Sequence, residues 1–399
     1  MSQINVFSEI GQLKEVLVHT PGDEIRRISP KRYNELLFSA ILEADVAIKE
    51  HKSFVKILEE NNVKVIQLKD ILLETWNICS KEAKNIFINK WIEEAQPVIH
   101  SSSLKEKIKL FLKSKTPLEI IDIMMKGILK QELGIEYKHE LIIDPMPNLY
   151  FTRDPFTSMG SGITINNMKY QTRKRETIFS EFIFNNHPKY KNTPRWFDRF
   201  DSGNIEGGDL FVYTKETIVV GVSERTKKKA ILKIAKNIQE NNNSFKKIVV
   251  IKVPIMQNLM HLDTWIVMVD FDKFIYSPNV TKSLKFWEID LTKKPKFIQL
   301  KNETLEDVLY RVIGKKPILI PVAGENANQI DIDVETHFDA TNYLTIRPGV
   351  VVGYSRNKKT EEALINAGVK VYAFEGNQLS LGMGSARCMS MPLIREDII

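Results

Sequence analysis

Three stretches of this sequence are built alike, and that repetition limits the fold more than any other feature. GDLFVYTKETIVVGVSERT (208–226), DTWIVMVDFDKFIYSP (263–278) and TNYLTIRPGVVVGYSRN (341–357) each set two β-rich runs around a short polar connection, which is the signature of a β-hairpin. The first and third align after a one-residue gap, DLFVY…IVVGVSER over NYLTI…VVVGYSR. Helix-like segments, KKAILKIAKNIQEN and KTEEALINAG, follow those two hairpins. Acidic or amide residues open the units, and Asp154, Asp209, Asp263 and Asn342 recur at separations of 55, 54 and 79. A recurring ββα-type unit predicts an α/β fold of pseudo-symmetric blades around an axis, with the mouths of several hairpins converging on one site. Residues distant in sequence then meet.

One region breaks the pattern. From about residue 70 to 139, apolar residues fall at helical spacing with charges between them, as in LKDILLETWNICSKEAKNIFINKWIEEAQPVI, and Gly134 offers a C-terminal stop to the last helix. This predicts a helical domain over 70–139 inserted into a body made of 1–69 and 140–399. Cys79 falls on that bundle, where packing is its expected role.

A chain of 399 residues with 43% hydrophobic content can bury a large core. No apolar run approaches the roughly 18 residues of a spanning helix, and the N-terminus has no basic segment followed by an apolar stretch. The expectation is a cytoplasmic protein with no membrane partner. Two cysteines, Cys79 and Cys388, make no disulfide framework and have no CxxC partner to suggest zinc. The net charge of +7 comes from lysines scattered in short groups, which reads as a solvated surface and argues against nucleic acid.

The second cysteine lies in GMGSARCMSM (382–391), a run of small residues with an arginine beside it. A thiol kept for packing usually has aliphatic neighbours; this context suggests a close-approach loop instead. Three other stretches are polar within otherwise apolar surroundings: MPNLYFTRDPF (146–156), GNIEGGDLF (203–211) and NLMHLDTW (258–265). His261 and Asp263, two residues apart on what reads as a strand, share a face. Read blandly, Glu206 finishes a Gly-Gly turn and Asp154 caps itself before proline. Taken together, these residues are the parts needed to attack a cationic carbon. A guanidinium is planar, so two carboxylates, Asp154 and Asp263, can clamp it while a thiolate approaches its face. Like charge nearby raises a thiol's pKa. Cys388 is therefore expected to be a thiol in the empty site and to ionise when the cation arrives.

At these residues the sequence resembles the arginine deiminase family. MPNLYFTRDPF, IEGGD, VGVSERT, NLMHLDTW, THFD and LSLGMGSARCMSMPL match that family's motifs in order and spacing, from KEVLVHTPGDE near the N-terminus to the last residues. The resemblance implies a pentein-type fold, a five-bladed pseudo-symmetric α/β propeller of ββαβ units with an inserted α-helical bundle. It implies hydrolysis of L-arginine to L-citrulline and ammonia through a covalent cysteine thiouronium intermediate, with no cofactor or metal, in a homodimer. Carried over, the roles are Cys388 as nucleophile, His261 as general acid and base, Glu206 as its orienting carboxylate, and Asp154 and Asp263 as the clamp. Arg173 and Arg225 match positions for the substrate carboxylate, while Asn148 and Phe151 match residues lining the pocket. Without the resemblance, Arg173 belongs to a charged, solvated stretch and Arg225 ends a strand. Two positions depart from the pattern: Ala340 stands where glycine is expected, which would be strained if φ is positive, and Glu181 stands where arginine is common.

Overall fold

A computed structural model describes residues 3–241, 244–254 and 260–398. The three hairpins form where the alternation places them: Leu210–Thr214 pairs antiparallel with Thr217–Val222, Ile266–Met268 with Lys273–Tyr276, and Leu344–Arg347 with Val350–Tyr354. Phe156–Met159 and Gly162–Ile165 make a fourth of the same kind. In chain order, the second strand of each pair then lies parallel to a third: Arg195–Phe197, Lys247–Lys252, Ile318–Pro321 and Lys370–Phe374. A parallel partner cannot be reached by a tight turn, so a crossover is required. The helices Thr177–Asn186, Lys228–Glu240, Leu305–Ile313 and Lys358–Asn366 lie in those crossovers. In Lys228–Glu240, for example, Ala230, Ile231, Ile234, Ala235 and Ile238 are all buried, a single stripe at helical period that docks on the sheet.

The two ends of the chain make a fifth sheet of the same order. Leu13–Val18 pairs antiparallel with Met391–Arg395 and parallel with Lys64–Gln67, which follows the helix Ala44–Glu60. Hairpins joined by short turns leave a local mark in the sequence. This fifth sheet is closed by strands from opposite termini, so no such mark announces it. The sheet of Leu210–Thr214 is widened by Lys285–Asp290 and Ile298–Leu300.

Between Gln67 and Ile128 the chain forms four helices, Leu68–Ile78, Lys81–Glu93, Ser102–Lys113 and Pro117–Lys126. Ser80, Ser101 and Thr116 cap the last three by accepting a backbone N–H, and Thr116 and Glu119 complete a capping box with Pro117 in the first turn. The expected start at 70 falls inside the first of these helices. The stop differs as well: the last α-helix ends at Gly127, and Gly134 closes a short 3-10 turn, Lys130–Leu133. The apolar faces of the helices are buried in one cluster with Phe156, Ile163 and Phe182 of the neighbouring sheet and its helix. Cys79 packs at the edge of that cluster.

Both departures have a structural reason. Glu181 is buried and holds Lys90 Nζ at 2.7 and 2.8 Å and Arg199 Nη1 at 3.1 Å, so the negative charge has its own cations. In the THFDA turn the left-handed residue is Asp339, with φ of 56°, one position ahead of Ala340. The strain anticipated for alanine does not arise.

Candidate active site

Each hairpin is entered through a short irregular stretch, and those stretches carry the polar residues. Gly207–Asp209 is a 3-10 turn ahead of Leu210–Thr214, and Leu262–Thr264 is another ahead of Ile266–Met268. His261 and Asp263 therefore do not share a strand face as expected: they belong to the second turn and its cap. The Leu262 N–H is taken by Asp209 Oδ1 at 2.8 Å, and Thr264 Oγ1 donates to the His261 carbonyl at 2.8 Å. These bonds hold the backbone in a turn until Ile266. Asn258 and Leu259 of the NLMHLDTW motif lie outside the described residues.

Asn148, Phe151, Asp154, Arg173, Arg225, His261 and Cys388 line one cavity, together with Leu37, Met260, Gly382 and Met383. The other two candidates reach it through partners. Glu206 Oε2 is 2.8 Å from His261 Nε2, and Cys388 Sγ donates to Asp263 Oδ2 at 3.7 Å. All nine candidate residues thus gather in one place. Arg173 and Arg225 are each only 4% exposed, unlike the solvated positions their local sequence suggests. Asn148 Nδ2 donates to the Leu36 carbonyl at 2.7 Å, tying the cavity wall to the segment that carries Leu37.

The small residues are explained by contact. A Cβ on Gly384 would lie 2.5 Å from Phe151 Cε1 and 3.1 Å from Cys388 Cβ, and one on Gly208 would lie 2.6 Å from His261 Cγ. Neither space exists, so the Cys388 loop and the histidine can approach only past glycine.

Three carboxylates here already hold guanidinium groups of the chain itself. Asp154 Oδ2 accepts from Arg173 Nη1 at 2.7 Å, Glu206 Oε2 from Arg225 Nη1 at 2.9 Å, and Asp263 Oδ2 from Arg387 Nη1 at 2.6 Å. Asp154 and Glu206 have a second, backbone donor: the Gly208 N–H reaches Asp154 Oδ1 at 3.1 Å, and the Lys169 N–H reaches Glu206 Oε1 at 2.9 Å. Asp263 Oδ1 is different. It is buried and has no hydrogen-bond partner among the described residues, an acceptor left open toward an incoming donor. The cavity is about 20 Å³, room for a water molecule or two and not for an amino acid.

The electrostatics follow from this crowding. Burial pushes the Cys388 thiol well above its ordinary range, and Asp263, Asp154 and Asp339 push it further against the pull of Arg387. Burial alone would lower His261, yet Asp154, Glu206 and Asp209 outweigh it and raise the imidazole to about 9. Glu206 is buried too, but Arg225 and His261 hold its carboxyl far below the usual range. The pair is an imidazolium facing a carboxylate at neutral pH. Burial raises Glu176 to about 7 although Arg173 pulls it down.

Sequence reasoning missed several participants. Arg387 sits next to the cysteine, but its partner Asp263 is 124 positions away. Glu176 grips Arg173 through Nε at 3.1 Å and Nη2 at 2.9 Å; the spacing of three on a helical turn was the available signal. Among the described residues no group of three or more His, Cys, Asp or Glu is placed to hold a metal ion, and no helix is long and apolar enough to cross a membrane.

Comparison with known proteins places the chain in a family. A family model described as arginine deiminase matches residues 34–395. The chain is 53% identical over 399 residues to the arginine deiminase of Metamycoplasma arthritidis, covering 99% of this chain and 97% of that protein. It is 40% identical over 414 residues to the arginine deiminase of Clostridium perfringens, covering 99% and 98%. Among solved structures, the amidinotransferase SxtG of Microseira wollei superimposes with a TM-score of 0.57 at 14% identity, over 99% of this chain and 98% of that one. The DDAH of Pseudomonas aeruginosa, a mutant complexed with citrulline, gives 0.52 at 12% identity over 95% and 99%. At such identities the likeness concerns the fold, which is the α/β pentein fold. Matched by the family model from residue 34 to 395 and 53% identical to a relative along nearly its whole length, the chain belongs to the arginine deiminase family.

Proposed function

We propose that this chain hydrolyses L-arginine to L-citrulline and ammonia, with Cys388 as the nucleophile. The observation that carries the reading is the meeting, at one buried cavity, of a thiol, a carboxylate-bonded imidazole and Asp154, with a further carboxylate, Asp263, in contact with the thiol. Those carboxylates suit a guanidinium, because each already binds one supplied by the protein.

The substrate guanidinium takes the place of Arg173 at Asp154 and reaches the open Oδ1 of Asp263. Arg173, freed from Asp154, and Arg225 turn to the substrate carboxylate, while Asn148 and Phe151 line its path. Arrival of a cation between the acids reverses the field on the sulfur, and the thiol releases its proton to solvent. The thiolate attacks the guanidinium carbon. His261, an imidazolium held by Glu206, protonates the departing amine, and ammonia leaves a thiouronium on Cys388. The imidazole then takes a proton from water, which adds to the same carbon. Collapse breaks the carbon–sulfur bond, the hydroxyl proton passes to the departing sulfur, and citrulline leaves as the thiol is restored.

We take the five sheets as blades around an axis through this site, with 70–139 inserted into a catalytic body of 1–69 and 140–399. A cytoplasmic homodimer is the expected setting. Incubation with free arginine and a colour test for citrulline examines the activity. Turnover of methylated arginine with none of arginine, or amidino transfer to an amine in place of hydrolysis, would overturn it.

A further inference from the structure

Acidic or amide residues open the four hairpin units, and three of them use one side-chain oxygen in the same way. Asp154 Oδ1 accepts the Gly208 N–H at 3.1 Å, Asp209 Oδ1 accepts the Leu262 N–H at 2.8 Å, and Asn342 Oδ1 accepts the Cys388 N–H at 3.0 Å. In the first two cases the donor stands immediately ahead of the next residue of the series, Gly208 before Asp209 and Leu262 before Asp263. Cys388 holds the corresponding place ahead of the C-terminal strand that completes the fifth sheet.

Asn342 departs from the other members by being an amide, and it does so at the junction that receives the thiol. Its Oδ1 also accepts the Ser385 N–H at 3.2 Å, while its Nδ2 donates to the Asp263 main-chain carbonyl at 3.3 Å. One fully buried side chain therefore ties the nucleophile loop to the backbone of the residue whose carboxylate touches the sulfur. A carboxylate in its place would keep the acceptor but lose the donor, setting an oxygen against the Asp263 carbonyl. It would also add a charge. Cys388 already faces Asp263, Asp154, Asp339 and Arg387, with His261, Arg173 and Arg225 lining the same cavity and Tyr150 and Tyr354 close enough to interact.

We propose that Asn342 is a positioning residue for the reaction: its amide sets Cys388 against Asp263 from both sides, and its neutrality spares the sulfur one more negative neighbour. This rests on Cys388 being the nucleophile. The test uses a Cys79→Ser background, so that a small alkylating agent reports Cys388 alone as pH is raised. In Asn342→Asp two backbone donors keep the new carboxylate ionised, and the alkylation midpoint moves up, slowing the reaction ~10-fold at fixed pH. Asn342→Ser breaks the same bonds without adding charge: kcat falls roughly tenfold or more, KM stays within about twofold, and the midpoint does not rise. An unmoved midpoint in Asn342→Asp, or wild-type kcat in Asn342→Ser, overturns the proposal; the serine variant decides alone if the aspartate variant does not fold. Cys388→Ser separates the two readings. If it keeps turnover, the nucleophile assignment fails; if it is inactive while Asn342→Asp titrates as wild type, the role of Asn342 alone fails.

Discussion

Two groups of buried charges in this chain are organised on opposite principles. In the first, Glu181 accepts from Lys90 through both oxygens and from Arg199 through one, and Arg199 continues to Glu94 and to the Lys174 carbonyl. Both oxygens of Glu181 are satisfied. In the second, around Cys388, the carboxylates also hold arginines, yet Asp263 Oδ1 and Arg225 Nε are left without hydrogen-bond partners among the described residues, and a thiol is packed against negative charge. Saturated pairing fixes a structure, because breaking one member strands another in low dielectric. Incomplete pairing leaves interactions for a ligand to complete. The same residue types thus close on one another in one place and are left open to a ligand in the other.

Substitutions should separate the two groups. The largest effect is expected for Cys388→Ser: turnover falls by at least ~10⁴-fold while the thermal midpoint stays close to wild type, and substantial residual activity would contradict the nucleophile reading. Next come Asp154→Asn and Asp263→Asn, each lowering kcat/KM by ~10²- to 10³-fold; a loss under about tenfold would tell against the clamp.

The imidazole supplies a pH test. Its folded value of about 9 exceeds the ordinary 6.5, so its stabilising contribution is full below 6.5 and is lost as pH rises through 9. Accordingly kcat/KM declines above about 9, and the stability gap between wild type and His261→Gln narrows across that window. A gap independent of pH would contradict the ion pair with Glu206. Smaller effects lie in the saturated group, where Glu181→Gln costs ~1–3 kcal/mol in denaturant unfolding and leaves kcat within about twofold. Smallest of all, Ala340→Gly changes stability by under about 1 kcal/mol, since Ala340 does not need positive φ.

Much of this arrangement was legible in the chain. Alternation over 208–226, 263–278 and 341–357 revealed the hairpins because strand period is a local property. The small residues around Cys388 announced a close approach, which Gly384 makes against Phe151. What escaped notice depends on distant partners. Arg173 lies in QTRKRE, a string that reads as surface, and is buried because Asp154 and Glu176 neutralise it. His261 and Asp263 looked like strand residues until the side chain of Asp209, more than fifty positions away, took the intervening amide. The fifth sheet needed both termini at once. Glu206 stands at the start of the turn Gly207–Asp209 without capping it through its side chain, which instead contacts His261.

The bridge from Arg173 to Asp154 has a consequence for selectivity. If the proposed reading holds, an entering molecule brings a cation for Asp154 and an anion for Arg173, which keeps Glu176 as a partner when it leaves Asp154. Free arginine carries both at suitable ends. An arginine residue inside a polypeptide has its α-carboxyl locked in an amide and lacks the second charge, so on the proposed reading proteins bearing such residues are expected to be left unmodified.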